Sequence, residues 1–454
     1  MARHGRRNRK KLPEESVELT IDRISHEGRG IANNNGKVAF VDGALPGEKV
    51  RARYLDTRAR FDEMAVEEVI DASEFRVKPP CEYFGICGGC SLQHLSSSAQ
   101  INFKQDLLFD QLSHTAGIDR EAFERLDIQQ ADSFHYRRKA RLAVRYVSKK
   151  GGALIGFREK HSTFITDMSD CQVLVSEIAQ LISPLRELVN SLEARLSIPQ
   201  FEVASGNNQA GESSVALVVR HLESLDSGDL QKLLEFARQH CCEIYLQPKS
   251  VDSIHKLWPE SGGDRLGYEL PEYQLRMRFH PVDFVQVNES VNHKAIALAI
   301  DLLELEPDDR VLDLFCGLGN FTLPLSRHCA EVVGVEGSEE MVARAEENAS
   351  ANQITNVSFH TANLYALTGD ETWSGDRYDK VLLDPPRSGA LEIIDWIGQC
   401  GARKIVYVSC NPATLARDAA KMTASGFRLK RAGVMDMFPH TAHVESIAVF
   451  EKIN

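Results

Sequence analysis

The sequence predicts a multidomain protein of mixed β and α/β class. An OB-like β-barrel comes first, a central α/β domain follows, and a doubly wound α/β sheet comes last. Three observations carry this reading. The 454 residues correspond to roughly three domains of about 150. Short β-prone segments divided by glycine- and asparagine-rich turns crowd into residues 12–70. Apolar runs alternating with helical stretches fill residues 281–454. A composition of 43% hydrophobic and 26% charged residues, with no internal repeat, excludes a disordered polymer, a fibrous protein and a disulfide miniprotein.

The chain carries 53 Lys/Arg against 65 Asp/Glu, a net charge of −12. As a sum, that speaks against a nucleic-acid partner, because phosphate binding needs clustered positive charge. The distribution reads differently. Residues 1–11 form a basic tail with six Lys/Arg and no acid, a pattern suited to an electrostatic arm. No apolar run approaches the roughly 18 residues that cross a bilayer, and no apolar segment follows the basic start. A cytoplasmic protein without membrane contact is expected, with ten cysteines that do not pair as structural disulfides.

In order along the chain, VELTI (17–21), KVAFV (37–41), KVRARYL (49–55) and MAVEEVI (64–70) read as strands. Turns such as Glu27-Gly28-Arg29-Gly30 and Asn33-Asn34-Asn35-Gly36 separate them. Four or five strands in so short a stretch suit a small barrel of the OB type, a common nucleic-acid fold. Pro79-Pro80 closes it. The central domain covers 71–280. Ile101, Gln105, Leu108 and Leu112 recur at helical spacing up to Gly117, predicting a helix over 98–116 that is expected to pack on the C-terminal domain. Residues 133–160 hold nine Lys/Arg and one acid. Period-two alternation puts Lys139, Arg141 and Arg145 on one strand face and Leu142, Val144 and Tyr146 on the other. Against an acidic background, that basic face reads as an RNA-facing ridge rather than an ordinary solvated strand. VLDLF (311–315), VVGVE (332–336), VSFH (357–360), KVLLD (380–384) and KIVYVS (404–409) then predict buried parallel strands, and SIAVFEK (446–452) completes the sheet.

Asp313-Leu-Phe-Cys-Gly317-Leu-Gly319-Asn320-Phe321 sits where a strand ends and a helix begins, and its two glycines let backbone approach a ligand. Thr322 stands where a dinucleotide fingerprint has its third glycine. Glu336 ends the next strand, 23 residues after Asp313, placed to accept from ribose hydroxyls. Asn363 and Asp384 stand at the carboxyl ends of the third and fourth strands, along the same crevice. The set suits a nucleoside ligand without a pyrophosphate, of which S-adenosylmethionine is the common one.

Asp384-Pro-Pro-Arg-Ser-Gly389, Ser409-Cys410-Asn411-Pro412, Phe284-Val-Gln286-Val-Asn288 and His443-Val-Glu445 complete the pattern. This combination resembles the RNA uracil-5-methyltransferases over nearly the whole chain, and implies a Rossmann-like class I methyltransferase domain at 281–454. The chemistry explains the residue types. Uracil C5 is a poor nucleophile, so a thiolate adds to C6 to make an enolate, and a base later removes the C5 proton. The resemblance implies Cys410 as nucleophile and Glu445 as base. It implies Gln286, Phe315, Asn320, Glu336, Asn363 and Asp384 as the methyl-donor site, with Asp384 also close to the uracil. Amino methylases carry an aromatic residue after Asn/Asp-Pro-Pro, where this chain has Arg387. RNA cytosine-5 enzymes carry a second cysteine in the proline loop, which is absent from Asp384-Pro385-Pro386.

Cys81-x5-Cys87-Gly-Gly-Cys90 places three thiols within ten residues. Four ligands would complete a zinc or iron–sulfur site, and spacing alone leaves the two nearly even, with His94 or the distant Cys171 as the fourth. The Cys-Gly-Gly-Cys-x-x-Gln-His run resembles the cluster-bearing branch of the family. That resemblance implies a [4Fe–4S] cluster on Cys81, Cys87, Cys90 and Cys171, in the central domain. The barrel ahead of it resembles the TRAM module, an RNA-binding barrel. Barrel and cluster together resemble the bacterial branch acting on 23S ribosomal RNA, and a monomer with no obligate protein partner is expected. Another ribosomal site or transfer RNA is the alternative substrate. A non-catalytic iron–sulfur RNA-binding protein and a TRAM-bearing radical methylthiotransferase are the alternatives of other classes. The pairing of Cys410 with Glu445 disfavours the first, and the long Cys81–Cys87 gap disfavours the second.

Overall fold

The computed structural model describes residues 12–369 and 371–453, so the basic tail of residues 1–11 lies outside the described residues. The chain divides into two compact units, one reaching to Gln100 and including His440–Ala442, the other comprising Ile101–Pro439 and His443–Asn454.

The first unit holds a six-stranded sheet: Val17–Thr20, Arg23–Ile24, Gly30–Asn34, Lys37–Asp42, Lys49–Thr57 and Phe61–Asp71. In space these run first, fifth, sixth, fourth, third, second. All pairs are antiparallel except Lys37–Asp42 with Phe61–Asp71. Alternate residues face one core of Leu19, Ile21, Ala32, Ala39, Val41, Val50, Ala52 and Met64. Two of the six strands, Arg23–Ile24 and Gly30–Asn34, lie outside the four segments read as strands. Gly-Ile-Ala-Asn-Asn looks like a turn, yet buried Asn34 donates from Nδ2 to Tyr54 Oη at 2.8 Å and so stays in the sheet.

Beyond the sheet, the fully buried Glu48 carboxylate accepts from the Leu45 and Ser73 amides at 2.8 and 3.2 Å and from Arg76 Nη2 at 2.7 Å. Burial alone would raise its pKa, but Arg76 and the two amides hold it below the ordinary value. This anchors the segment that carries Cys81, Cys87 and Cys90. Gly28 approaches that segment closely, since a Cβ there would lie 2.9 Å from Leu92 Cδ2. The Ser91 and Leu92 amides donate to the His440 carbonyl, and the His440 amide donates to Gln100 Oε1.

The second unit contains two eight-stranded sheets. The first is built on Gln200–Asn207, which pairs with Ser213–Arg220 on one edge and with Lys139–Val147 and then Leu266–Leu270 on the other. Strand Lys139–Val147 alternates as expected, with Leu142 and Val144 buried. Of its basic face, Lys139 departs from the expected RNA-facing ridge. Glu202 stands opposite Arg141 in register and pairs with both Lys139 (3.3 Å) and Arg141 (3.1 Å). Lys139 also donates to the Asp283 carbonyl and keeps only 13% of its side chain exposed. Arg141 and Arg145 remain exposed.

The other sheet runs Val357–Thr361, Glu331–Glu336, Arg310–Leu314, Lys380–Leu383, Lys404–Ser409, Glu445–Lys452, Phe427–Met435, with Glu124–Arg125 at the far edge. The first five are parallel, as their continuous apolar runs require. The last two form an antiparallel pair, so the final strand lies between Lys404–Ser409 and Phe427–Met435 rather than at the edge. Helix Ser97–Ala116 buries Ile101, Leu108, Phe109 and Leu112 in one face of this sheet. Helix Glu289–Leu303 buries Ala295, Ile296 and Ala299 in the other.

Candidate active site

The five strands are parallel and so end on one side, and their carboxyl ends open into a cavity of about 740 Å³. After Arg310–Leu314, the backbone turns at Phe315 and Gly317, with φ of +65° and +54°. The Phe315 and Cys316 amides donate to the Val335 carbonyl at 2.8 and 3.2 Å, which fixes the turn against the next strand. No atom lies within 4 Å of where a Gly317 Cβ would be, so glycine is demanded here by backbone conformation rather than space.

Glu336 closes the second strand. Its Oε2 accepts from the Gly317 amide at 3.2 Å, and its Oε1 from the Gly337 and Ser338 amides at 2.7 and 3.1 Å. The carboxylate is thereby oriented while retaining lone pairs for a diol. Asn363, beyond the third strand, accepts from the Tyr365 amide at 3.1 Å. The Asn320 and Asn292 amides exchange a reciprocal pair of 3.0 Å hydrogen bonds, and Tyr268 Oη donates to Asn320 Oδ1 at 2.8 Å. Arg138 is buried over the Tyr268 ring at 4.4 Å and donates from Nε to the Gln286 carbonyl at 2.9 Å. The segments carrying Gln286 and Asn320 are thus tied to one buried arginine.

On the opposite side stand the thiol and a carboxyl. Ser409 is in register with Ser446 on antiparallel strands, so one further step brings Cys410 and Glu445 abreast. Cys410 precedes helix Pro412–Ala424, whose N-cap Asn411 accepts from the Ala413 amide at 3.1 Å. Glu445 is 4% exposed. Burial, with Asp384 nearby, pushes its carboxyl well above the carboxylate range. Burial also pushes Asp384 up to about 7. The Cys410 thiol is pushed up to about 11 by burial, then by Glu445 and Asp384, while Arg387 opposes the rise.

All eight expected residues, Gln286, Phe315, Asn320, Glu336, Asn363, Asp384, Cys410 and Glu445, line this one cavity. Tyr268, Tyr365 and Phe438 line it too, without any sequence signal: Tyr268 and Phe438 are brought in by other segments, and Tyr365 lies two residues past Asn363. Arg387, which stands where amino methylases have an aromatic residue, and His443 of the His443-Val-Glu445 run line it as well. Of the thiols proposed for a metal, Cys81, Cys87 and Cys90 lie in the first unit and Cys171 in the second. Among the described residues, no group of three or more His, Cys, Asp or Glu is arranged to hold a metal ion. None of their helices is long and apolar enough to cross a membrane.

Comparison with known proteins agrees with this architecture. The family model described as tRNA (Uracil-5-)-methyltransferase matches residues 97–453, and the TRAM domain matches residues 10–61. The chain is 50% identical over 451 residues to the 23S rRNA (uracil(1939)-C(5))-methyltransferase RlmD of Hahella chejuensis, covering 98% of this chain and 99% of that protein. It is 49% identical over 447 residues to the protein of the same name from Alcanivorax borkumensis, with the same coverage. The crystal structure of Pyrococcus abyssi tRNA (uracil-54, C5)-methyltransferase in complex with S-adenosyl-L-homocysteine shares the fold. Its TM-score is 0.72 at 23% identity, over 96% of this chain and 100% of that one. With its N-terminal TRAM domain and C-terminal methyltransferase sheet, the chain belongs to the tRNA (uracil-5-)-methyltransferase family.

Proposed function

We propose that the protein transfers the methyl group of S-adenosylmethionine to C5 of a specific uridine in 23S ribosomal RNA, through a covalent Cys410–C6 adduct. The observation that carries the reading is the convergence, in one cavity, of a strand-end thiol, a buried carboxyl and the polar strand ends of a nucleoside site. The 23S substrate comes from relatives that match the chain end to end at about half its residues.

In the reaction, Gln286, Phe315, Asn320, Glu336, Asn363 and Asp384 hold the donor, with Glu336 accepting from ribose hydroxyls. The target uridine leaves its stack to enter the cavity, at a cost of a few kcal/mol that loop positions minimise. The Cys410 thiolate adds to C6 and the C5–C6 π electrons move onto O4. C5 then attacks the sulfonium methyl, whose bonding pair stays on sulfur. Glu445 removes the C5 proton, and the pair released re-forms C5=C6 and expels the thiolate. Entry of the cationic sulfonium favours ionisation of Asp384 and Glu445 in the otherwise acidic cavity.

Cys81, Cys87, Cys90 and Cys171 suit a [4Fe–4S] cluster. The first three are soft thiols on successive tight turns, and the Gly89 amide donates to Cys87 Sγ at 3.3 Å, the bond that a cluster thiolate accepts. When bound, such a cluster would stiffen a segment poor in regular secondary structure, and no catalytic step passes through it. The TRAM domain and the exposed Arg141 and Arg145 would grip the RNA backbone.

The test is to incubate protein and methyl donor with 23S fragments carrying 5-fluorouridine. Fluorine cannot leave as a proton, so a stable protein–RNA adduct is expected, absent in Cys410→Ala. No adduct, with methyl transfer intact in Cys410→Ala, overturns the mechanism, and preferential methylation of transfer RNA overturns the substrate. Iron and labile sulfide in anaerobically purified protein are expected, and zinc without sulfide refutes the cluster.

A further inference from the structure

Addition of a thiolate to uracil places a full negative charge on O4, and the cavity meets it with three carboxyls: Glu336, Asp384 and Glu445. Among the described residues lining the cavity, Arg387 is the one lysine or arginine. Its placement is built on both sides. The carbonyl of Arg387 accepts from Nδ2 of Asn411, the residue directly after Cys410, at 3.1 Å. Its Nη2 lies 3.1 Å from Nδ1 of His443, two residues before Glu445. A guanidinium can only donate, so His443 Nδ1 is the acceptor and carries no proton. The imidazole is therefore held neutral with its proton on Nε2, in agreement with the lowering of its pKa by burial and then by Arg387, Lys104 and Arg137. The arginine is suspended between the nucleophile's strand end and the base's strand start, and it lowers the thiol pKa of Cys410.

We propose that Arg387 is a catalytic residue that donates to and neutralises the C4 enolate oxygen formed when Cys410 adds to C6, and that His443 is the positioning residue that aims it. The proposal rests on the covalent reading above and extends it. The S–C6 bond forms and the displaced π pair rests on O4 beside the guanidinium. It returns through C5 either to a proton or to the donor's methyl group. Donors preset for a developing oxyanion typically contribute about 10²–10³ in rate each.

One partial reaction isolates this step. A 23S fragment with tritium at C5 of the target uridine, mixed with the protein without methyl donor, releases tritium to water only if addition, enolate formation and reprotonation at C5 all occur. Arg387→Met is expected to slow tritium release at saturating RNA by about 100-fold or more. Arg387→Lys should recover part of the loss, and His443→Phe should give an intermediate loss. Binding of S-adenosylmethionine, measured calorimetrically, is expected to stay within about twofold, which also shows the variants folded. Arg387 is exposed, so its replacement leaves the core intact. Wild-type tritium release by Arg387→Met at saturating RNA overturns the proposal. So does a loss that disappears at saturating RNA and comes with a shallower salt dependence of binding, because Arg387 would then contact a phosphate. Tritium release by Cys410→Ala would instead refute the covalent reading, so the two failures are distinguishable.

Discussion

Asp384→Asn separates what the cavity does for chemistry from what it does to stability. Burial shifts the Asp384 carboxyl from an ordinary 3.8 to about 7. Below pH 3.8 the carboxyl is protonated folded or unfolded, and contributes no pH dependence. Between 3.8 and 7 the unfolded chain releases a proton that the folded protein retains, so rising pH erodes stability. Above 7 the penalty is constant. At about 1.4 kcal/mol per pH unit, the loss reaches about 4 kcal/mol at its limit, of which about 2.5 kcal/mol develops between pH 5 and pH 8. Asparagine cannot ionise. The advantage of Asp384→Asn over the parent should therefore grow by about 2.5 kcal/mol across that range, while methyl transfer collapses. Denaturant unfolding followed by the fluorescence of Trp373 and Trp396, packed edge to face at 5.0 Å in the core of the same sheet, provides the measurement. An advantage that is equal at pH 5 and pH 8 refutes the reasoning.

Other predictions concern the frame around the site. Lys104, 1% exposed, donates from Nζ to Asp436 Oδ1 at 2.7 Å and to the Phe438 carbonyl at 2.9 Å. Lys104→Met should cost about 3–5 kcal/mol by stranding the Asp436 charge, and Lys104→Met with Asp436→Leu should recover most of it in urea unfolding. The rate term kcat/KM should rise with pH across 6–8, as Asp384 ionises near 7 and the thiolate fraction of Cys410 grows toward about 11. A flat profile over that range contradicts the assignment. Gly317→Ala should cost about 1 kcal/mol in thermal melts through backbone strain alone. Gly389→Ala should cost more, because its Cβ would lie 2.5 Å from Asp418 Oδ2.

The parallel strands and the strand-end residues were legible because burial on both faces writes a continuous apolar run, and because the polar residue that ends each run faces the crevice. Phe427–Met435 was not. It begins as Phe-Arg-Leu-Lys-Arg, with Arg428 and Lys430 exposed, and the apolar signal returns only after its bulge near Leu429. Lys139 was misread for a related reason. Strand period gives the face of a side chain but not what the neighbouring strand places on that face, and Glu202 arrives from 63 residues away. Arg138, Tyr268 and Tyr365 left no trace in the sequence. Their roles exist only once segments far apart in the chain are folded together, through the Arg138–Tyr268–Asn320 chain and the 2.8 Å contact of Tyr365 Oη with Ser388 Oγ.

The antiparallel register that sets Cys410 beside Glu445 also divides the cavity into a part that is fixed and a part that can change. The proposed nucleophile and base are fixed by six cross-strand pairs running from Lys404–Glu451 to Ser409–Ser446. The connection from Asp436 to Val444, which supplies Phe438 and His443 to the cavity, lies outside that ladder. A slip of one residue in the ladder would turn Glu445 to the opposite face and end catalysis. Insertions or deletions in the connection leave the ladder intact and act instead on the wall of the cavity where Phe438 and His443 stand. The cavity wall can therefore change shape while Cys410 and Glu445 stay abreast.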